Sequence, residues 1–215
     1  MPSNQTPLGA LPARFRRQRV LIVGCGDVGL RTAGQLGAPQ SQRVRLMALT
    51  SSPERVRLLR ACGITPLQGD LDDAASLRRL AGIAHRVIHL APPPTERRGE
   101  SERDPRSLAL VRALRLRTPP QVVVYGSTTG VYGDCADQWI DETRRLQPQS
   151  ARAQRRVNAQ DWVNFLGKSG YPRTQVLRIP GIYALDREGG TPRERLLRGT
   201  PVLQAQEDVY TNHIH

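Results

Sequence analysis

A short apolar run, Arg19-Val-Leu-Ile-Val23, leads directly into Gly24-Cys25-Gly26-Asp27-Val28-Gly29, and residues 31–36 continue as a helix. No other feature constrains the chain as strongly. A buried strand that ends on a glycine turn and opens a helix sets the first helical amides, and the positive end of the helix dipole, at the strand's carboxyl end. The first glycine permits a tight turn, the second lets a ligand come close to the backbone, and the third lets helix pack on strand. The ligand that suits such a turn is a diphosphate. Gly24, Cys25, Gly26, Asp27, Val28 and Gly29 are therefore expected to seat a dinucleotide. An ordinary glycine-rich turn carries the same letters, but the strand–turn–helix context favours the binding role.

Further along, short apolar runs predict strands over 44–49, 64–67, 86–90, 121–125 and 174–179. Between them lie predicted helices over 53–62, 74–80, 107–116 and 151–166, with one more over 192–198. Ser52 is expected to cap the helix over 53–62, with Pro53 at its first position. Strands that are apolar throughout and alternate with helices indicate a parallel sheet covered on both faces. The expected fold is α/β, a Rossmann-type doubly wound parallel sheet over 19–180, preceded by a flexible basic extension over 1–18.

The end of the second strand bears on cofactor choice. Leu49-Thr50-Ser51-Ser52 holds no acid before Glu54, and Arg55 is expected one helical turn inside the following helix. An acid there would bind the 2′-hydroxyl of NAD, whereas hydroxyls and an arginine accept a 2′-phosphate. Thr50, Ser51 and Arg55 therefore favour NADP over NAD.

Composition excludes several classes. With 38% hydrophobic and 24% charged residues, the chain suits a globular protein. It contains no apolar run long enough to span a bilayer, so no membrane partner is expected. The start has four arginines and no acid through Arg19, but Pro2, Pro7 and Pro12 oppose the amphipathic helix of a transit peptide. Cys25, Cys62 and Cys135 form no disulfide framework, which points to reduced thiols and the cytoplasm. His85, His89, His213 and His215 lack the companions a metal needs, and none is expected. The net charge of +13 favours acidic partners, and all but one of the 32 basic residues are arginine. These arginines are spread along the chain and read as solvated faces. Without a recognition motif, and with aromatics at 4%, nucleic acid is not an expected partner.

Several pieces in order resemble the extended short-chain dehydrogenase/reductase family, above all its atypical epimerase-like members. These are residues 23–29, Gly69-Asp70-Leu71, His89-Leu90-Ala91-Pro92, Tyr125-Gly-Ser-Thr-Thr-Gly-Val-Tyr-Gly133, Asp141-Glu142 and Arg178-Ile-Pro-Gly-Ile-Tyr183. The resemblance implies that Asp70 bonds adenine with the Leu71 backbone beside it, and that Leu90 and Ala91 line the cofactor's path. Thr128 takes the slot of the family's catalytic Ser/Thr, although a hydroxyl there also serves plain turn chemistry. The implied substrate is a small molecule, a nucleotide-linked sugar or carbonyl compound. The implied assembly is a homodimer through the helices over 107–116 and 151–166.

Two departures matter. The family's Tyr-x-x-x-Lys pair is missing: Arg152 stands in the tyrosine slot and Arg156 in the lysine slot. Arginine does not give up its proton, so it cannot serve as the acid–base group. Arg156 is expected still to donate to the nicotinamide ribose, and Tyr132 is the candidate substitute phenol, weighed against a tyrosine that is simply packed. In length, relatives continue past an Asn-x-Ile-His segment into a small substrate lobe. Here 181–215 is expected to be only the start of that lobe. Three functions follow: an NAD(P)-dependent oxidoreductase or epimerase-like enzyme, placed first on family likeness; a non-catalytic NAD(P) sensor; and a nucleic-acid-associated protein.

Overall fold

The computed structural model describes residues 17–37, 44–94, 102–168, 170–186, 191–199, 201 and 213–214. Strands and helices alternate: β1 (Gln18–Val23), α1 (Asp27–Leu36), β2 (Val44–Thr50), α2 (Arg55–Ala61), β3 (Thr65–Gln68) and β4 (Arg86–His89). Then follow α3 (Pro105–Leu114), β5 (Val122–Thr128), α4 (Ala151–Gly167) and β6 (Arg173–Ile179). The six strands form one parallel sheet in the order β3-β2-β1-β4-β5-β6. Chain order reverses at β1 and β4, and ligands of open α/β sheets bind at the carboxyl ends of strands flanking such a switch.

The period-two alternation of the strands splits the core between two faces. Leu21, Val23, Met47 and Leu49 pack with Leu110, Leu114, Ala159 and Val163 of α3 and α4. Val20, Ile22, Leu46 and Ala48 pack with Ala33 of α1 and Leu59 of α2 on the opposite face. Both sets are buried, which is why β1 and β2 read as continuous apolar runs.

Local chemistry moves several boundaries away from the sequence expectation. Ser52 does not cap α2. The Thr50 hydroxyl instead accepts the Ser52 amide at 3.2 Å, the chain turns through Pro53 and Glu54, and the helix begins at Arg55. Residues 76–80 form a 3₁₀ turn rather than a helix starting at 74. The helix expected at 107 starts at Pro105 because the Asp104 carboxylate accepts the amides of Arg106 and Ser107. β5 runs on to Thr128, where a 3₁₀ turn over Thr129–Tyr132 begins. Beyond β6, β7 (Gly181–Ile182) pairs with β8 (His213–Ile214), and α5 (Pro192–Leu197) opens on a Thr191/Glu194 capping box. The expected extension falls outside the described residues except for Arg17 and Gln18, and Gln18 already belongs to β1. Among the described residues no helix is long and apolar enough to cross a membrane, and no cluster of ligating side chains could hold a metal ion.

Candidate dinucleotide-binding site

The carboxyl ends of β1 and β4 meet at the glycine turn. The Val23 carbonyl accepts the amides of Leu90 at 2.7 Å and Ala91 at 3.0 Å, which draws the end of β4 against the turn. Gly24, at φ 88°, sits so close that a Cβ there would lie 2.2 Å from the Ala91 amide nitrogen. A Cβ on Gly29 would lie 2.9 Å from the Gly24 carbonyl oxygen, so α1 rests directly on the turn. Gly26 differs from both, because a Cβ there would meet nothing within 4 Å. It faces open space, and as N-cap of α1 it brings no side chain to close the helix end. The three glycines thus provide the tight turn, the bare approach and the close packing that a diphosphate-gripping turn requires.

The open space is a crevice of about 420 Å³. Gly24, Cys25, Gly26, Asp27, Val28 and Gly29 form its floor; Thr50, Ser51 and Arg55 form one wall, and Asp70, Leu71, Leu90 and Ala91 line the rest. All but one of the sequence-derived cofactor residues come together here; Arg156 does not line it. Arg55, at the first position of α2 rather than a turn inside, donates from Nη2 to the Cys25 carbonyl at 2.7 Å. Its guanidinium is therefore held at the rim of the glycine turn. Burial raises the Cys25 thiol pKa, partly opposed by the Arg55 charge, so the thiol in the floor stays protonated.

Arg106 and Pro92 also line the crevice and were not singled out from the sequence. Arg106 reaches from the first turn of α3 to Asp72 with two contacts, Nε–Oδ1 at 2.7 Å and Nη2–Oδ2 at 2.5 Å. This bidentate pair ties the loop after β3 to α3.

At the end of β5 the polar groups are engaged with each other. The Thr128 hydroxyl accepts the Gly130 amide at 3.4 Å and caps the 3₁₀ turn. Tyr132 is 6% exposed, and its hydroxyl accepts from Arg178 Nη1 at 2.8 Å. Arg178 Nη1 also donates to the Glu142 carbonyl at 2.9 Å, and Arg178 Nε to Gln160 Oε1 at 3.3 Å. Arg156 Nη1 donates to the Gly126 carbonyl at 2.8 Å and to the Tyr125 hydroxyl at 3.1 Å. The arginine in the lysine slot is thus bonded to β5, and the tyrosine weighed as substitute phenol is a packed one.

Beneath the crevice, His89 Nε2 lies 2.8 Å from the Ser107 hydroxyl, and that hydroxyl donates to Asp104 Oδ2 at 2.6 Å. The serine proton goes to the carboxylate, so His89 Nε2 must carry the other. All three side chains are buried, which makes this a pin between β4 and α3 and keeps it from any substrate. Burial, with the Arg156 charge in support, lowers the His89 pKa to about 3. The unfolded chain takes up this proton near pH 6.5, and the folded chain does not until about pH 3. Stability is complete above pH 6.5 and falls as pH drops, by about 1.4 kcal/mol per unit. Chemical denaturation at pH 7.5 and pH 5 should show the parent losing about 2 kcal/mol more than His89→Gln. Equal losses would mean that His89 is not held neutral.

Fold and crevice together define a Rossmann-type α/β domain with an open crevice at the carboxyl ends of β1 and β4. A family model described as the TrkA-N domain matches residues 20–124. No curated protein matches the sequence. Among solved structures, a functionally unknown conserved protein from Silicibacter pomeroyi is 27% identical, with TM-score 0.57 over 77% of this chain and 54% of its own. UDP-glucuronic acid 4-epimerase from Bacillus cereus, in complex with UDP-glucuronic acid and NAD, is 15% identical, with TM-score 0.66 over 86% of this chain and 64% of its own. UDP-glucose 4-epimerase from Thermotoga maritima is 19% identical, with TM-score 0.67 over 86% of this chain and 65% of its own. The chain therefore spans less than two thirds of the length of these structures, and its likeness to the epimerases is one of fold.

Proposed function

We propose that this protein binds NADP in the crevice and acts through that binding, as a nucleotide-responsive module, without the Tyr–Lys proton transfer of short-chain dehydrogenase/reductases. The carrying observation is the glycine turn, where each of the three positions has the geometry that a gripped diphosphate needs. The bound NAD in the Bacillus cereus epimerase complex supports a nicotinamide dinucleotide as ligand. Arg55 supports the phosphorylated form, because its guanidinium stands beside hydroxyls and faces no carboxylate on that wall. Asp70 and Leu71 would hold the adenine end, and Leu90 and Ala91 would flank the path toward nicotinamide. The engaged hydroxyl of Tyr132 and the engaged Arg156 favour binding over turnover.

The second function, an oxidoreductase or epimerase-like enzyme acting on a nucleotide-linked sugar or carbonyl compound, is favoured by the fold shared with the epimerases. It would rest on Thr128. Pairing of α3 and α4 with a second copy would give a homodimer, and the free cysteines suit a reducing compartment such as the cytoplasm.

Calorimetric titration with NADP and NAD tests the primary function. NADP should bind at least tenfold more tightly. Arg55→Ala should weaken NADP about tenfold, roughly 1.4 kcal/mol, and change NAD less than twofold. Tighter binding of NAD would overturn the cofactor assignment, and binding of neither would overturn the function. Stoichiometric binding with no turnover on sugar-nucleotide and carbonyl substrates supports the module; turnover abolished by Thr128→Ala supports the enzyme.

A further inference from the structure

Some of the arginines that the sequence scatters from end to end are gathered by the fold at one pole. In a parallel sheet all strands start at the same edge, and the segments leading into them end there. Arg19 and Arg45 are register partners on β1 and β2. One residue further on, Arg86 of β4 stands between Val20 and Val122, and Val122 stands beside Arg173 of β6. Four of the five neighbouring strands β2-β1-β4-β5-β6 thus carry an arginine at their first or second position, in two adjacent rows that span roughly 19 Å at ~4.8 Å per strand.

The segments leading into the strands add Arg79, Arg115, Arg117 and Lys168 to the same edge. These segments are laced together. Arg19 Nε donates to the Ile83 carbonyl at 2.5 Å, the Gln121 amide to the His85 carbonyl at 2.7 Å, and the Arg173 amide to the Gln121 carbonyl at 3.0 Å. A Cβ on Gly82 would lie 3.4 Å from Cβ of Arg117. Every one of these cations except the half-buried Arg19 is exposed, and none joins an ion pair among the described residues.

The acids are segregated to the other edge. Every described Asp and Glu except Asp161, in the middle of α4, lies in a loop or first helical turn that follows a strand. Helix dipoles account for cations at helix ends, but strand starts offer no comparable dipole. Repulsion among these unpaired arginines disfavours the fold, and a polyanion laid across the edge relieves it.

We propose that this amino edge of the sheet docks on the sugar–phosphate backbone of a nucleic acid, with the dinucleotide crevice facing away at the opposite edge. Guanidinium forks match phosphate oxygens in geometry as well as charge. Between the ends of α3 and α4, Phe165 is 44% exposed and has Arg115 Cζ at 5.4 Å and Lys168 Nζ at 5.9 Å from its ring centroid. A cation-flanked ring of this kind stacks on bases. The same edge exposes Leu116 and Tyr171 beside Phe165, so an anionic lipid surface is the competing occupant that the vesicle arm of the test decides.

The test is fluorescence anisotropy with a 20-nucleotide single-stranded RNA and a 20-base-pair DNA duplex, titrated with the whole protein from 50 to 300 mM salt. Binding at micromolar concentration is expected at the low end, with a log–log salt slope of about −3 to −5. Arg45→Gln/Arg86→Gln/Arg173→Gln should weaken binding at least tenfold and flatten the slope by about 2 to 3. Arg79→Gln/Arg117→Gln, which approaches the pole from its turns, should act in the same direction. Arg57→Gln/Arg145→Gln/Arg193→Gln removes as much charge elsewhere and should leave the slope within about 0.5. The proposal is overturned if both triple variants lose affinity equally, if neither oligonucleotide binds at 50 mM salt, or if anionic phosphatidylserine vesicles bind where the oligonucleotides do not. NADP titration and melting of each variant should match the parent. A failure of NADP binding in the parent would sink the crevice assignment alone.

Discussion

Replacing Gly26 with aspartate should weaken dinucleotide binding at least a hundredfold while leaving the melting midpoint within about 2 °C. The two effects separate because of where this glycine stands. Its backbone, at φ −77° and ψ −151°, is extended and open to any residue, and a Cβ there would touch nothing. Aspartate is also a favoured N-cap, so the folded state has no reason to suffer. The same open space is where a diphosphate must approach the amides of α1. A carboxylate placed there would occupy the approach and repel the ligand, and a hundredfold loss corresponds to roughly 2.7 kcal/mol. Gly26→Ala, which adds bulk without charge, should fall in between. Calorimetric titration beside scanning calorimetry gives both readouts. Parent-like NADP binding by Gly26→Asp would show that the ligand is gripped somewhere other than this turn.

What the sequence made legible was local. The strand, glycine turn and helix at 19–36 are contiguous, so their order alone specified the turn and its open face. Thr50, Ser51 and Arg55 were legible for the same reason, since each follows directly from where β2 ends. Even there the helix start was misplaced, because a Thr50 hydroxyl bonding the Ser52 amide competes with a cap at Ser52. Contacts between distant residues left no local trace. Arg106 meets Asp72 across 34 positions, Arg178 meets Tyr132 across 46, and His89 meets Ser107 across 18. No spacing rule foretells these pairings, which is why the sequence left Tyr132 open between a substitute phenol and a packed tyrosine and gave no sign of Arg178 as its partner. The arginines illustrate the limit most plainly. Taken one by one they sit at ordinary solvated positions, and only the shared edge of a parallel sheet brings Arg19, Arg45, Arg86 and Arg173 to one end of the molecule.

Gly24 presents the opposite case from Gly26, since here fold and ligand cannot be separated. Gly24→Ala should lower stability by about 3 kcal/mol and the melting midpoint by about 8 °C, and NADP binding should be lost with it. Two costs add. At φ 88° an L side chain is strained by about 1–2 kcal/mol, and the new methyl would overlap the Ala91 nitrogen at 2.2 Å and Cα at 2.5 Å. Both contacts are with backbone, so trimming a side chain cannot relieve them. The double variant Gly24→Ala/Ala91→Gly should therefore remain as unstable as the single one. Relief would require β4 to withdraw from β1, breaking the bonds from the Leu90 and Ala91 amides to the Val23 carbonyl that bring the crevice walls together. Loss of the ligand follows from that withdrawal even where the chain still folds. A Gly24→Ala protein that melts within 2 °C of the parent, or a double variant that recovers, would mean that the junction of β1 with β4 has more room than its geometry provides.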